Sequence, residues 1–137
     1  MLISTKGTYA LRVLTDMAKH YGENNYICIC DISNRLNISR KYLEAIMTLL
    51  AKNQLIESKR GSNGGYKLIK KPEEYNLYEI LLITEENLAP ISCLKENQTC
   101  DDHEFCPTVK TLKGLQEVIK DYLSGKSLKD LIGSNNC

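Results

Sequence analysis

Apolar residues recur at helical spacing from the first ten positions onward. Ala10, Val13, Leu14, Met17, Ala18 and Tyr21 line one face of a first helix. Gly22 to Asn25 (GENN) ends it with turn-forming residues. The run YICIC that follows predicts a short strand, with Cys28 and Cys30 as buried small apolar residues. Asp31 is expected to cap a short helix, ISNRL. Asn37-Ile38-Ser39 reads as a turn, and Ser39 can cap the next helix. There Leu43, Ile46, Met47 and Leu50 form a second apolar face, which Asn53 and Gln54 close. A short helix, a turn and a second helix with a polar start make a helix-turn-helix pattern.

What comes next extends the pattern. LIESKR and YKLIK read as two strands joined by the glycine-rich turn GSNGG, with positive charge at Lys59, Arg60, Lys67, Lys70 and Lys71. A hairpin directly after a helix-turn-helix is a wing. In such a module the second helix enters the major groove while the hairpin reaches the backbone or the minor groove. Pro72 breaks the hairpin's exit, and Asn76 is expected to cap the helix LYEILLITEEN. Pro107 opens a long helix with Val109, Leu112, Leu115, Val118, Ile119, Tyr122 and Leu123 on one broad face. That face is wider than one neighbour requires, so it is expected to serve both its own core and a second copy of the chain. Ser127 is expected to cap a last short helix, LKDLI.

The expected fold class is therefore mainly α with a small β-hairpin wing. Residues 1–75 form a winged helix-turn-helix. Residues 76–137 hold a helix, a cysteine-containing loop (89–106), a dimerisation helix (107–124) and a C-terminal tail.

Charge supports that division. The net charge of +1 over 137 residues hides an asymmetry. Residues 1–75 carry 12 Lys/Arg against 7 Asp/Glu, and residues 76–137 carry 6 against 10. A basic front and an acidic back suggest that the front meets a polyanion. No apolar run approaches the ~18 residues of a membrane span, and the N-terminal stretch lacks the apolar core of an export signal. A cytoplasmic protein is expected.

In a reducing compartment, clustered cysteines more often bind metal or sense redox state than form structural disulfides. Cys93, Cys100 and Cys106 are spaced C-x6-C-x5-C in a loop between helices. Three thiolates there can converge on one metal centre. Cys106 precedes Pro107, so it falls at a helix N-terminus, where the dipole favours the thiolate. Zinc is the rival to an iron–sulfur cluster, although the spacing is looser than the paired knuckles of structural zinc. His20 reads as a surface residue, and Cys137 as a mobile terminal thiol.

These residues carry a resemblance. ISTKGTYAL, ISRKYLEAI and RGSNGGYKL, with the cysteine loop and long helix behind them, resemble the IscR-type winged-helix transcriptional regulators over nearly the whole chain. That family includes iron–sulfur, nitric-oxide and cysteine-metabolism sensors. The resemblance implies a homodimer that binds double-stranded DNA at a pseudo-palindromic operator. It implies that Ser39, Lys41, Tyr42 and Glu44 face bases or phosphates and that Arg40 adds charge for the backbone. In the wing it assigns Arg60, Ser62 and Asn63 to the minor groove or phosphates. Glu44 stands out, since a carboxylate can accept from a cytosine amino group.

The resemblance also matches Cys93, Cys100 and Cys106 to cluster ligands, with a two-iron cluster favoured and a four-iron cluster open. The chain departs from the family in the first cysteine interval, which has six residues between the thiols where the best-known members have five. Val109 stands where the IscR type has its ligating histidine, and Thr8 where the nitric-oxide sensors have an aspartate. Asp101, Asp102, His103, Glu104, a partner-chain residue or a small exogenous ligand are the candidates for the fourth position. The alternative is a cluster-free member that responds to thiol oxidation, zinc or a partner protein. Nothing in the chain supports catalysis: it has no phosphate-binding glycine loop and no nucleophile with an evident base.

Overall fold

The computed structural model describes residues 3–22, 25–95 and 106–133. Helix α1 (Thr5–Lys19) begins at Ser4, whose Oγ accepts the Gly7 N–H at 3.1 Å. Its inner face is Ala10, Val13, Leu14, Met17 and Ala18, all buried. Tyr21 does not extend that face: the helix stops at Lys19, and Tyr21 is exposed. Helices α2 (Ile29–Leu36) and α3 (Arg40–Lys52) form the helix-turn-helix. Asn37 turns the chain between them in the left-handed region (φ 54°), which asparagine tolerates better than most residues. Ser33 Oγ donates to the Ile38 carbonyl at 2.7 Å and holds the turn closed.

The expected strand at 26–30 does not form. Only Ile27 pairs with a strand, through a two-bond bridge to Tyr66 (2.8 and 2.9 Å). Helix α2 begins at Ile29, so Cys30 is helical and Cys28, not Asp31, is the N-cap. Alternating apolar residues cannot distinguish a strand from one bridge followed by a helix, and the early cap won. The two cysteines are consequently not buried: Cys28 is exposed and Cys30 half-buried.

Strands β1 (Ile56–Lys59) and β2 (Gly65–Leu68) pair antiparallel, with Ile56 opposite Leu68 and Lys59 opposite Gly65. Gly65 has φ 151°, and a Cβ there would run into the Ile27 carbonyl, so only glycine lets the wing meet the start of α2. A 3-10 turn at Pro72–Glu74 leads to α4 (Leu77–Thr84), capped by Asn76, which ends three residues before the LYEILLITEEN pattern does. A second 3-10 turn (Ser92–Leu94) precedes α5 (Pro107–Ser124) and α6 (Leu128–Ile132).

One core unites both ends of the chain. Leu77 and Ile80 of α4 and Leu128 of α6 are buried with α1, α3 and both strands. An ion pair between Asp16 of α1 and Arg35 of α2 ties the helix-turn-helix to the first helix. The guanidinium donates from Nε (2.9 and 3.2 Å) and Nη2 (2.7 Å) to both carboxylate oxygens. Asp16 is buried, and its hydrogen bonds push the Arg35 pKa further up. This fork fixes the angle between α1 and α2. No helix among the described residues is long and apolar enough to cross a membrane.

Candidate nucleic-acid interface and cysteine loop

Ser39 caps α3, its Oγ accepting the Tyr42 N–H at 3.3 Å. The buried stripe Leu43, Ile46, Met47 and Leu50 turns the opposite side of the helix outward. Ser39, Arg40, Lys41 and Glu44 are all exposed there, and Tyr42 is half-buried. Arg40 Nε lies 3.5 Å from Glu44 Oε1, a solvent-exposed i,i+4 pair that competing partners can open at little cost. Tyr42 meets the Tyr9 ring edge-on at 5.6 Å between centroids, and Arg12 lies over Tyr9 at 5.4 Å. Arg12 also donates to the Leu36 carbonyl at 3.1 Å, where α2 ends. Arg12 and Tyr9 thus brace α3 from α1. Sequence reading missed both, because an exposed arginine and a tyrosine on α1 carry no local signal of what they touch.

Arg60, Ser62 and Asn63 are exposed at the tip of the hairpin. The basic residues behind it are not all free charges. Lys67 Nζ pairs with Glu57 at 2.9 Å, and Tyr26 Oη donates to the same carboxylate at 3.1 Å. Lys67, then Tyr26, hold the Glu57 carboxyl below its ordinary range, and Glu57 in turn raises Lys67. Lys59 and Lys67 both lie over the Tyr26 ring, at 5.4 and 5.0 Å. The Lys67 charge is thereby neutralised at the wing's base, while Lys59, Arg60, Lys70 and Lys71 are exposed.

Away from the helix-turn-helix, Glu85 at the end of α4 ties back to α1. Its Oε1 accepts from the Ser4 N–H (3.0 Å) and Oγ (2.7 Å). Gly7 is buried beneath that carboxylate, and a Cβ there would strike it. The segment from Glu85 to Lys95 carries Cys93 in its 3-10 turn, and this turn packs on α5. Cys106 is the N-cap residue of α5, with no cap hydrogen bond from its side chain. Both thiols are half-buried. Cys100, Asp101, Asp102, His103, Glu104 and Cys137 lie outside the described residues. Thr8 is exposed on α1, and Val109 is buried on α5.

Comparison with known proteins accords with this layout. A family model described as "Rrf2: Iron-dependent Transcriptional regulator" matches residues 3–134. The chain is 33% identical to a putative HTH-type transcriptional regulator, ORF2, of Azotobacter vinelandii, over 99% of its own length and 82% of the relative's. It is also 33% identical to the HTH-type transcriptional regulator IscR of Photorhabdus laumondii, over 98% and 80%. Among solved structures it is similar to CymR (YrzC), the global cysteine regulator of B. subtilis. That match has a TM-score of 0.78 and 27% identity, and covers 99% of each chain.

Proposed function

The chain belongs to the Rrf2 family of transcriptional regulators, and we propose that it is a homodimer whose binding to a pseudo-palindromic operator is governed by an iron–sulfur cluster on the loop at 89–106. In this reading α3 presents Ser39, Lys41, Tyr42 and Glu44 to the major groove. Arg40 supports them with charge for the backbone, and Arg60, Ser62 and Asn63 reach from the wing. A second copy docks on α5, whose Leu115, Val118 and Tyr122 are exposed.

The observation that carries the cluster reading is the placement of Cys93 and Cys106 at one helix. Cys106 is the N-cap of α5, and its sulfur makes no cap hydrogen bond. Cys93 rides on a turn packed against the same helix. Cys93 and Cys106 are donors of the type a thiolate-ligated cluster takes, and Cys100 between them in sequence would supply the third ligand. A bound cluster supplies iron that can be oxidised, attacked or lost. The chain's own part is to hold the thiolates at the end of the dimer helix and at a segment that Glu85 ties to α1. A cluster held by these thiolates would bias the spacing of the two DNA-binding modules only to the extent that the two arrangements differ in affinity for it.

The test is anaerobic purification with iron and acid-labile sulfide analysis, an absorption spectrum, and operator affinity of a Cys93/Cys100/Cys106 triple serine variant. Iron and sulfide in matching amounts, with altered operator affinity in the variant, support the reading. Unchanged affinity under all conditions sinks the coupling. The full-length match to CymR favours one second reading: a cluster-free member that responds to thiol oxidation, zinc or a partner protein. A colourless protein without iron or zinc after reconstitution would select oxidation or a partner, and bound zinc alone would select the zinc variant.

A further inference from the structure

Cys28 and Cys30 lie outside the cysteine loop, in the DNA-binding half of the chain. Cys28 is exposed and caps α2, where its Sγ accepts the Cys30 N–H at 3.3 Å. That bond folds the Cys28 sulfur back over the residue that carries the second thiol. The residue before the pair, Ile27, is held by two backbone bonds to Tyr66 of the wing. The residue after it, Asp31, is in the first turn of α2. Both flanks of the pair are therefore anchored.

The two thiols differ in the way that sequential chemistry needs. The Cys30 backbone N–H, chiefly, pulls the Cys28 pKa down, opposed first by desolvation and last by the charge of Asp31. The adjoining Cys28 thiol, chiefly, pushes the Cys30 pKa up, with Arg40 of α3 acting the other way. The outer thiol is therefore favoured as the thiolate over the inner one.

We propose that Cys28 and Cys30 form a thiol–disulfide exchange site that takes low-molecular-weight disulfides, separate from the loop cysteines and independent of any cluster they hold. The Cys28 thiolate attacks one sulfur of the disulfide, forming a mixed disulfide and expelling one thiolate. Cys30 gives up its proton and attacks Cys28 Sγ, forming the Cys28–Cys30 bond and expelling the second thiolate. One small disulfide is reduced to two thiols while the protein dithiol is oxidised. The charge of Arg40, the first residue of α3, acts on Cys30.

The sequence permits a clean test. Trypsin cuts after Lys19 and Arg35, so peptide 20–35 contains Cys28 and Cys30 and no other cysteine. The reduced full chain is treated with oxidised glutathione, blocked with N-ethylmaleimide and digested. The expected product is peptide 20–35 lighter by two hydrogens and unlabelled. In Cys30→Ser a glutathione adduct should persist on Cys28. In Cys28→Ser the reaction of this peptide should slow about tenfold, since the better thiolate is gone. Serine is itself a strong N-cap, so Cys28→Ser keeps α2 folded, which circular dichroism checks. Full labelling of the wild-type peptide, or equal rates in Cys28→Ser and wild type, would overturn the proposal.

Discussion

Glu44 and Arg60 are both exposed, one on α3 and one at the wing tip, yet their proposed roles differ in kind. A guanidinium at the tip can neutralise a phosphate on any sequence. A carboxylate is repelled by phosphates and gains only where a base offers a donor. Arg60→Ala should therefore weaken specific and random duplexes alike and reduce the salt slope of binding by about 1. Glu44→Ala should cost about 1 kcal/mol of discrimination between operator and random DNA. Fluorescence anisotropy on both duplexes at several salt concentrations separates the two effects, and equal losses for both variants on both duplexes would refute the division. Their places on a helix and at a glycine turn were legible in the sequence because both signals are local, while the roles proposed for them rest on the family resemblance. The brace at Arg12 was not legible, since its bond to the Leu36 carbonyl joins α1 to the end of α2, 24 positions on.

The wing is an element held by more than its ladder. Tyr75 is buried, and its Oη donates to the Leu55 carbonyl at 2.6 Å while accepting from the Ile69 and Lys70 N–H groups at 3.0 and 3.2 Å. One hydroxyl thus closes the base of the hairpin, from the residue before β1 to the residues after β2. Burial, chiefly, raises the Tyr75 pKa, so the hydroxyl stays protonated and able to donate. Tyr75→Phe leaves three backbone groups without that partner and should cost about 2 kcal/mol in urea unfolding. A loss near zero would show that water replaces the hydroxyl. The hairpin itself was readable from LIESKR, GSNGG and YKLIK. The clasp was not, because Tyr75 sits beyond Pro72 in a stretch with no strand pattern.

At the scale of the molecule, the exposed apolar face of α5 is the feature one chain leaves unexplained. Val118 and Tyr122 are 63% and 65% exposed, while Val109 on the same helix is buried. In the proposed dimer, Val118→Glu places a charge in the contact and should shift the protein toward monomer in analytical ultracentrifugation. Operator affinity should fall with it, because two half-sites are no longer bound as a unit. An unchanged dimer would locate the subunit contact elsewhere. The same scale explains why the front and back of the chain are not separate bodies. Leu128, near the C-terminus, is buried in the core that α1 builds.

Helix periodicity, caps and glycine turns are local, so the amino-acid sequence alone determined the order of helices, the hairpin, the Ser39, Asn76 and Ser127 caps and the start of α5 at Pro107. They also placed Cys106 at a helix N-terminus. What lay between Tyr26 and Asp31 was decided by tertiary structure. Ile27 pairs with Tyr66, about forty positions away, and this bridge leaves Cys28 to cap α2 where alternation alone predicted a strand. The same holds for Glu85 on Ser4, Arg35 on Asp16 and Tyr75 on Leu55. Each joins residues whose neighbours in sequence say nothing of each other, and only the packed core brings them within hydrogen-bonding distance.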